Sequence, residues 1–201
     1  MDYTKWNDRI KKRSDMVTRL AHLTRGGDED KAFCNLCKIL EDKKLIASNA
    51  KGINVSNAKV CCFQEIPLVS IAENLRYEAE INQRNERYSP FGIRVLKGIV
   101  FQCGGRPVIY GDPQKLKSIM PVDEHWRIVR MDLSDTGNII DWSHEREWRY
   151  PNDYEFEYSD IEIIVATPHY YKELIKWCLE NNHLNILKEV NGIVVLNSIY
   201  N

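Results

Sequence analysis

The stretch Asp141–Asp153, DWSHEREWRYPND, constrains the fold of this chain more than any other, because it packs two glutamates, two arginines and two tryptophans into one short run. Side chains of a β-strand alternate between its two faces. Read as a strand, the run places Glu145, Glu147 and Arg149 on one face and His144, Arg146, Trp148 and Tyr150 on the other. Trp148 and Tyr150 then belong in a core, and the two carboxylates share a surface. Like charges held that close raise at least one carboxylate pKa or recruit a cation, which is how a protein prepares a general base or a clamp for developing positive charge. The competing arrangement is an ion-paired strand, with the carboxylates satisfied by Arg146, Arg149 or another segment.

The rest of the chain supplies partners for such a strand. MVTRLAHLTR, residues 16–25, is apolar and β-branched and runs into Gly26-Gly27, so it predicts a strand followed by a loop. Within it Leu20, His22 and Thr24 share one face, and Arg19, Ala21, Leu23 and Arg25 the other. A helix is expected over 31–43, with Asp28 or Asp30 as N-cap. KVCCFQEI, residues 59–66, predicts a strand that Pro67 ends, and the spacing of Leu68, Ile71 and Leu75 predicts a helix over 67–86. Glu65 stands at that strand-to-helix corner, as a ligand contact or as the partner of a lysine. Further strands are expected over 88–98, 106–110, 161–167 and 193–196. Helices are expected over 113–120 and from Pro168 onward, while residues 123–131 fit either a strand or a helix.

Helices and strands alternate without a repeat or a low-complexity linker, which predicts a single α+β domain over 1–201, with residues 1–15 as an N-terminal helical cap. The chain is long enough to bury a core in one piece. A formal net charge of −1 gives no global drive toward nucleic acid. No apolar run is long enough to cross a membrane and no signal-type leader is visible, so a cytoplasmic protein is expected.

Cys34 and Cys37 form a CxxC, but they lie in AFCNLCKIL, where Phe33, Leu36, Cys37 and Leu40 recur at helical spacing. Cys61 and Cys62 are adjacent in a strand and point to opposite faces. Without a second CxxC or CxxH, zinc is disfavoured and no metal is expected.

Taken together, RLAHLTR, Asn35–Leu40, Cys62–Leu68, Phe91-Gly92-Ile93, Pro107–Tyr110 and Glu145–Arg149 resemble, in order and spacing, the abortive-infection phage-resistance proteins of the AbiGi type. The resemblance covers residues 17–155. It implies an ADP-ribosyltransferase-like fold with mostly antiparallel sheets and flanking helices, and a phage-defence role. It also implies NAD as donor substrate without a metal, and a nucleic acid or protein as acceptor. By the same resemblance, His22 would orient a ribose and Arg25 or Arg19 would contact phosphate. Tyr88 or Tyr110 would stack on nicotinamide, and Glu147 or Glu145 would stabilise the oxocarbenium-like cation formed as nicotinamide leaves. The alternative function is a non-catalytic, antitoxin-like regulator that binds a protein partner or DNA. A nuclease built on Asp132, Asp141 and Glu147 ranks last, because these carboxylates lack a recognisable nuclease spacing.

Overall fold

A computed structural model describes residues 2–25, 28–49, 56, 58–81 and 87–199. The Gly26-Gly27 loop, residues 50–55 and 57, and the expected helix end at 82–86 lie outside the described residues. In chain order the elements are α1 (Tyr3–Lys11), β1 (Arg19–Leu23), α2 (Glu29–Asp42), β2 (Lys44–Leu45), β3 (Val60–Gln64), α3 (Leu68–Ile81), β4 (Gly92–Leu96) and α4 (Lys97–Gln102). They continue as β5 (Arg106–Pro107), β6 (Ile109–Gly111), α5 (Pro113–Ile119), β7 (Ile128–Arg130), β8 (Glu147–Pro151), β9 (Tyr154–Glu155), β10 (Ile161–Val165), α6 (Pro168–Glu180), α7 (Leu184–Glu189) and β11 (Ile193–Val195). The chain is thus mixed α and β, its strands mostly antiparallel and flanked by helices. It divides into two compact units, one formed by Met1–Lys44, Ile66–Leu96 and Glu155–Asn201, the other by Leu45–Glu65 and Lys97–Tyr154. Among the described residues no helix is long and apolar enough to cross a membrane.

In the first unit the strand order is β11-β10-β4-β1. β1 runs antiparallel to β4 and β4 antiparallel to β10, whereas β10 and β11 are parallel and joined through α6 and α7. The register sets Leu20 opposite Val95 and His22 opposite Ile93, so His22 belongs to the face of Leu20, Ile93 and Ile163. Arg19, Ala21 and Leu23 occupy the opposite face, where Ala21 and Leu23 join Ile71 and Ala72 of α3, Ile164 and Leu196 in one buried cluster. α2 begins where its cap predicts: the Asp28 carboxylate accepts from the Lys31 amide at 2.7 Å, and Glu29 and Asp30 fill the first turn at the positive helix end. It ends at Lys43, held left-handed at φ 49 where glycine is the usual choice. Phe33, Phe91 and Tyr170 form an aromatic trio with centroids 4.8–6.0 Å apart, fixing α2 and α6 on the start of β4.

The second unit is built on β3-β8-β5, all antiparallel, with β6 and β7 paired in parallel and α5 beside β7. The residues expected as one strand over 106–110 split into β5 and β6, which belong to different sheets. Val108 between them is held by its amide bonding the Glu147 carbonyl at 3.0 Å. The ambiguous 123–131 stretch is both alternatives in turn, a 3-10 helix over Val122–Arg127 and then β7. The strand expected over 88–98 stops at Leu96, because Lys97 and Gly98 already belong to α4.

Gly92 explains the FGI sequence physically. A Cβ there would lie 1.9 Å from the His22 carbonyl oxygen, so only glycine allows β1 and β4 to approach as they do. Gly92→Ala is expected to destabilise the protein by at least about 2 kcal/mol in urea unfolding. Gly98→Ala, in α4 with nothing within 4 Å of the added Cβ, should be neutral or stabilising by up to about 1 kcal/mol.

Candidate functional site

The candidate carboxylates occupy a turn and a strand rather than one strand. Residues Ser143–Glu145 form a 3-10 turn, and Arg146 follows in the left-handed conformation at φ 44. The expected alternation from 144 to 150 therefore begins only at Glu147, and Glu145 does not share a strand face with it by pleat. The cause is local: Asp141 accepts from the Ser143 amide at 2.8 Å, and the amides of Glu145 and Arg146 bond back to Trp142 and Ser143. This Asp-x-Ser turn is a side-chain-driven alternative to extended backbone, and it was present in the sequence as DWS.

From Glu147 onward the pleat holds. Glu147 and Arg149 face one way, opposite Gln64 and Cys62 of β3, and Trp148 pairs with Phe63 on the other side. Trp148 is buried as expected, with Phe101 against it, and Tyr150 is half-buried against Tyr154. Arg149 is 0 % exposed and Glu147 only 6 %. The two form a forked pair, Arg149 Nε donating to Glu147 Oε1 at 2.8 Å and Nη2 reaching Oε2 at 3.4 Å. The remaining guanidinium nitrogen, Nη1, donates to the carbonyls of Trp126 at 2.8 Å and Ile128 at 3.3 Å. A buried guanidinium needs both a counter-charge and acceptors for its remaining N–H groups, and this one has them. The Glu147 amide in turn donates to the Tyr110 hydroxyl at 3.0 Å. Burial pushes the Tyr110 phenol up to about 12, despite the opposing hydrogen bond from that amide. The Cys62 thiol is likewise pushed upward, first by burial and then by the charge of Glu147.

Glu145 is also buried, at 6 % exposure, and its charge contributes to the elevation at Tyr110. Glu145, Glu147 and Tyr110 thus fall together in the second unit. The other nominated residues, His22, Arg19, Arg25 and Tyr88, all belong to the first. There Arg19 pairs with Glu162 at 2.9 Å and donates to the Asp160 carbonyl at 3.1 Å, while Arg94 takes the second oxygen of Glu162 at 2.7 Å. Strand alternation sets Arg19 and His22 on opposite faces of β1. Arg25 is exposed, its carbonyl accepting from Asn35 at 2.7 Å, and Tyr88 packs half-buried against the α3 cluster.

Three residues acquire importance beyond the nominated set. Arg149 completes the buried pair, and Lys97 and Trp148 grip Glu65. Glu65 Oε1 accepts from Lys97 Nζ at 2.5 Å and Oε2 from the Trp148 indole at 2.6 Å, which makes the corner carboxylate a lysine partner. EREWR signalled Arg149 by its i+2 position from Glu147, but Lys97 lies too far along the chain for any local pattern to pair it with Glu65. Asp132 and Asp141 are engaged by their own loops: Asp132 takes Ser134 and Arg130, and Asp141 takes Ser143. Among the described residues no group of three or more His, Cys, Asp or Glu side chains could hold a metal ion.

No family model, curated protein or solved structure matches this chain.

Removing one partner of a buried ion pair leaves the other charge uncompensated, at a cost of about 3–5 kcal/mol. Glu147→Ala is expected to lose that much in urea unfolding, whereas a double Glu147→Leu, Arg149→Met variant of similar volume should lose markedly less. Equal losses would show that the pair's charge is not what the site balances.

Proposed function

We propose that this chain is a non-catalytic regulator in a phage-defence system of the abortive-infection type, acting by binding a protein partner. The defence role rests on the ordered motif resemblance from RLAHLTR to EREWR. The non-catalytic reading rests on the state of Glu147. A glutamate that stabilises an oxocarbenium-like cation must turn a free carboxylate edge toward a ribose. Here both oxygens of Glu147 face one fully buried guanidinium that is itself anchored to two backbone carbonyls. Swinging the carboxylate out would strand a buried cation, a cost comparable to the stabilisation a catalytic carboxylate supplies. A protein partner is favoured over DNA because the formal net charge is −1.

The transferase reading keeps one form, supported by the placement of Glu145. That residue sits on the turn before β8, in the same unit as Tyr110. In this form NAD is the donor, Glu145 rather than Glu147 meets the cation, and no metal takes part.

Calorimetric titration with NAD, paired with transfer of label from NAD to protein and nucleic acid acceptors, separates the two. The regulator reading predicts no binding heat at millimolar NAD and no labelled product. Label transfer that disappears in Glu145→Gln would establish the transferase form, and transfer that disappears in a Glu147→Gln variant whose circular dichroism and urea unfolding match the native chain would overturn the structural assignment of Glu147.

A further inference from the structure

The CxxC of α2 takes no part in the carboxylate site, and its two cysteines differ in setting. Cys34 is exposed and Cys37 is buried. Residues three apart on a helix stand one above the other, with Cα atoms about 5 Å apart and Cβ atoms about 5–6 Å apart. A disulfide accepts that Cα separation but holds its Cβ atoms at about 3.8 Å. The two sulfurs can therefore join once the turn Cys34–Cys37 tightens by about 1–2 Å.

The inner side of Cys37 is set by α6. Tyr170 donates its hydroxyl to Asp30 at 2.9 Å and holds its ring 5.3 Å from Phe33, and His183 approaches Glu41 at 3.8 Å. Asp30, Phe33, Cys37 and Glu41 are three or four residues apart, so they form one stripe of α2 laid along α6. Tyr170, Leu174 and Cys178 make the buried stripe of α6, which brings a third thiol into the same interface. Burial pushes the Cys37 thiol up to about 12, with Cys34 and then Cys178 acting in the same direction, and it pushes the Cys178 thiol up to about 11. Susceptibility to oxidants follows thiolate character and exposure. Cys34 is the thiol of this group that an oxidant meets, and Cys37 stands one turn behind it.

We propose that Cys34 and Cys37 form a peroxide-responsive modification site, in which Cys34 is oxidised first and Cys37 then closes an intrahelical disulfide. The Cys34 sulfur attacks one oxygen of hydrogen peroxide, the O–O bond breaks, and a sulfenic acid and one water result. The Cys37 sulfur attacks that of Cys34, the S–O bond breaks, and a second water leaves. One peroxide thus removes two electrons and two protons from the pair. Closing the bridge draws in a turn that carries Leu36 and Cys37, both buried, so oxidation at the surface loosens the seat of α2 against α6. Disulfides closed under strain are the more readily reduced ones, which makes the modification reversible. The pair draws only on the first unit and stands whether or not the regulator reading holds.

Peroxide treatment of the reduced full chain, followed by alkylation of free thiols and tryptic digestion without reductant, reads the site directly. Lys31 and Lys38 flank the pair, so both cysteines fall in the peptide Ala32–Lys38. That peptide should be lighter by two hydrogens, carry no alkyl group, and regain both thiols in glutathione. Cys103, the other exposed cysteine, has no second cysteine within a turn of it in the sequence and is the internal control. Dimedone, which traps sulfenic acids, should label Cys103 but not Cys34 in the native chain, and should label Cys34 to the level of Cys103 in Cys37→Ala. Peroxide should also lower the urea midpoint of the native chain but not that of Cys34→Ser, an exposed substitution. An intact Cys34 thiol, a Cys34 that takes dimedone as readily as Cys103 in the native chain, a bridge between two chains, a Cys37–Cys178 bridge in its place, or an equal midpoint shift in Cys34→Ser would each overturn the proposal.

Discussion

The second unit depends on the pairing of Glu147 with a fully buried Arg149. A guanidinium cannot be neutralised by deprotonation at any accessible pH, so a buried arginine must bring its counter-charge and acceptors with it. Glu147 provides the first and the carbonyls of Trp126 and Ile128 the second. Because those carbonyls sit at the end of the 3-10 helix and the start of β7, the guanidinium joins β8 to a segment with which it shares no strand ladder. Tyr110 adds a third connection through the Glu147 amide. The EREWR run is therefore a structural device first: alternation sends Glu147 and Arg149 to the paired face and Trp148 to the opposite one, where its indole grips Glu65.

The first unit uses a different logic. Its sheet is held by apolar contacts on both faces, with the Arg19–Glu162–Arg94 bridge running across three strands. Carboxylate caps and proline set where its helices begin, Asp28 before α2 and Pro168 at the first turn of α6. The right to pack β1 so tightly on β4 belongs to Gly92. The same parallel pair that makes β10 and β11 a crossover unit leaves a groove beyond their carboxyl ends.

Much of this was legible in the sequence. The apolar runs VCCFQEI and IEIIVAT become β3 and β10, and the spacing of Leu36, Cys37 and Leu40 places these residues in the buried face of α2. Those signals are local and periodic. What escaped was set by single backbone choices or by distant partners. Arg146 takes a positive φ because the Asp141–Ser143 turn precedes it, and that one residue removes Glu145 from the strand. Val108 diverts the chain between two sheets by bonding a carbonyl that belongs to β8. The pairing of Glu147 with Arg149 was one of the two arrangements the spacing allowed, but the burial that decides between them comes from residues 126–128, which no strand pattern around 147 contains.

The central claim, that Glu147 is committed to Arg149, is tested most directly by hydrogen exchange of the arginine side chains in NMR. The Nε–H of Arg149 should exchange far more slowly than that of exposed Arg146, and neither its exchange nor its chemical shift should respond to millimolar NAD. Rapid exchange at Arg149, or a shift in its resonance on adding NAD, would contradict the account and return Glu147 to the role of a carboxylate available for chemistry.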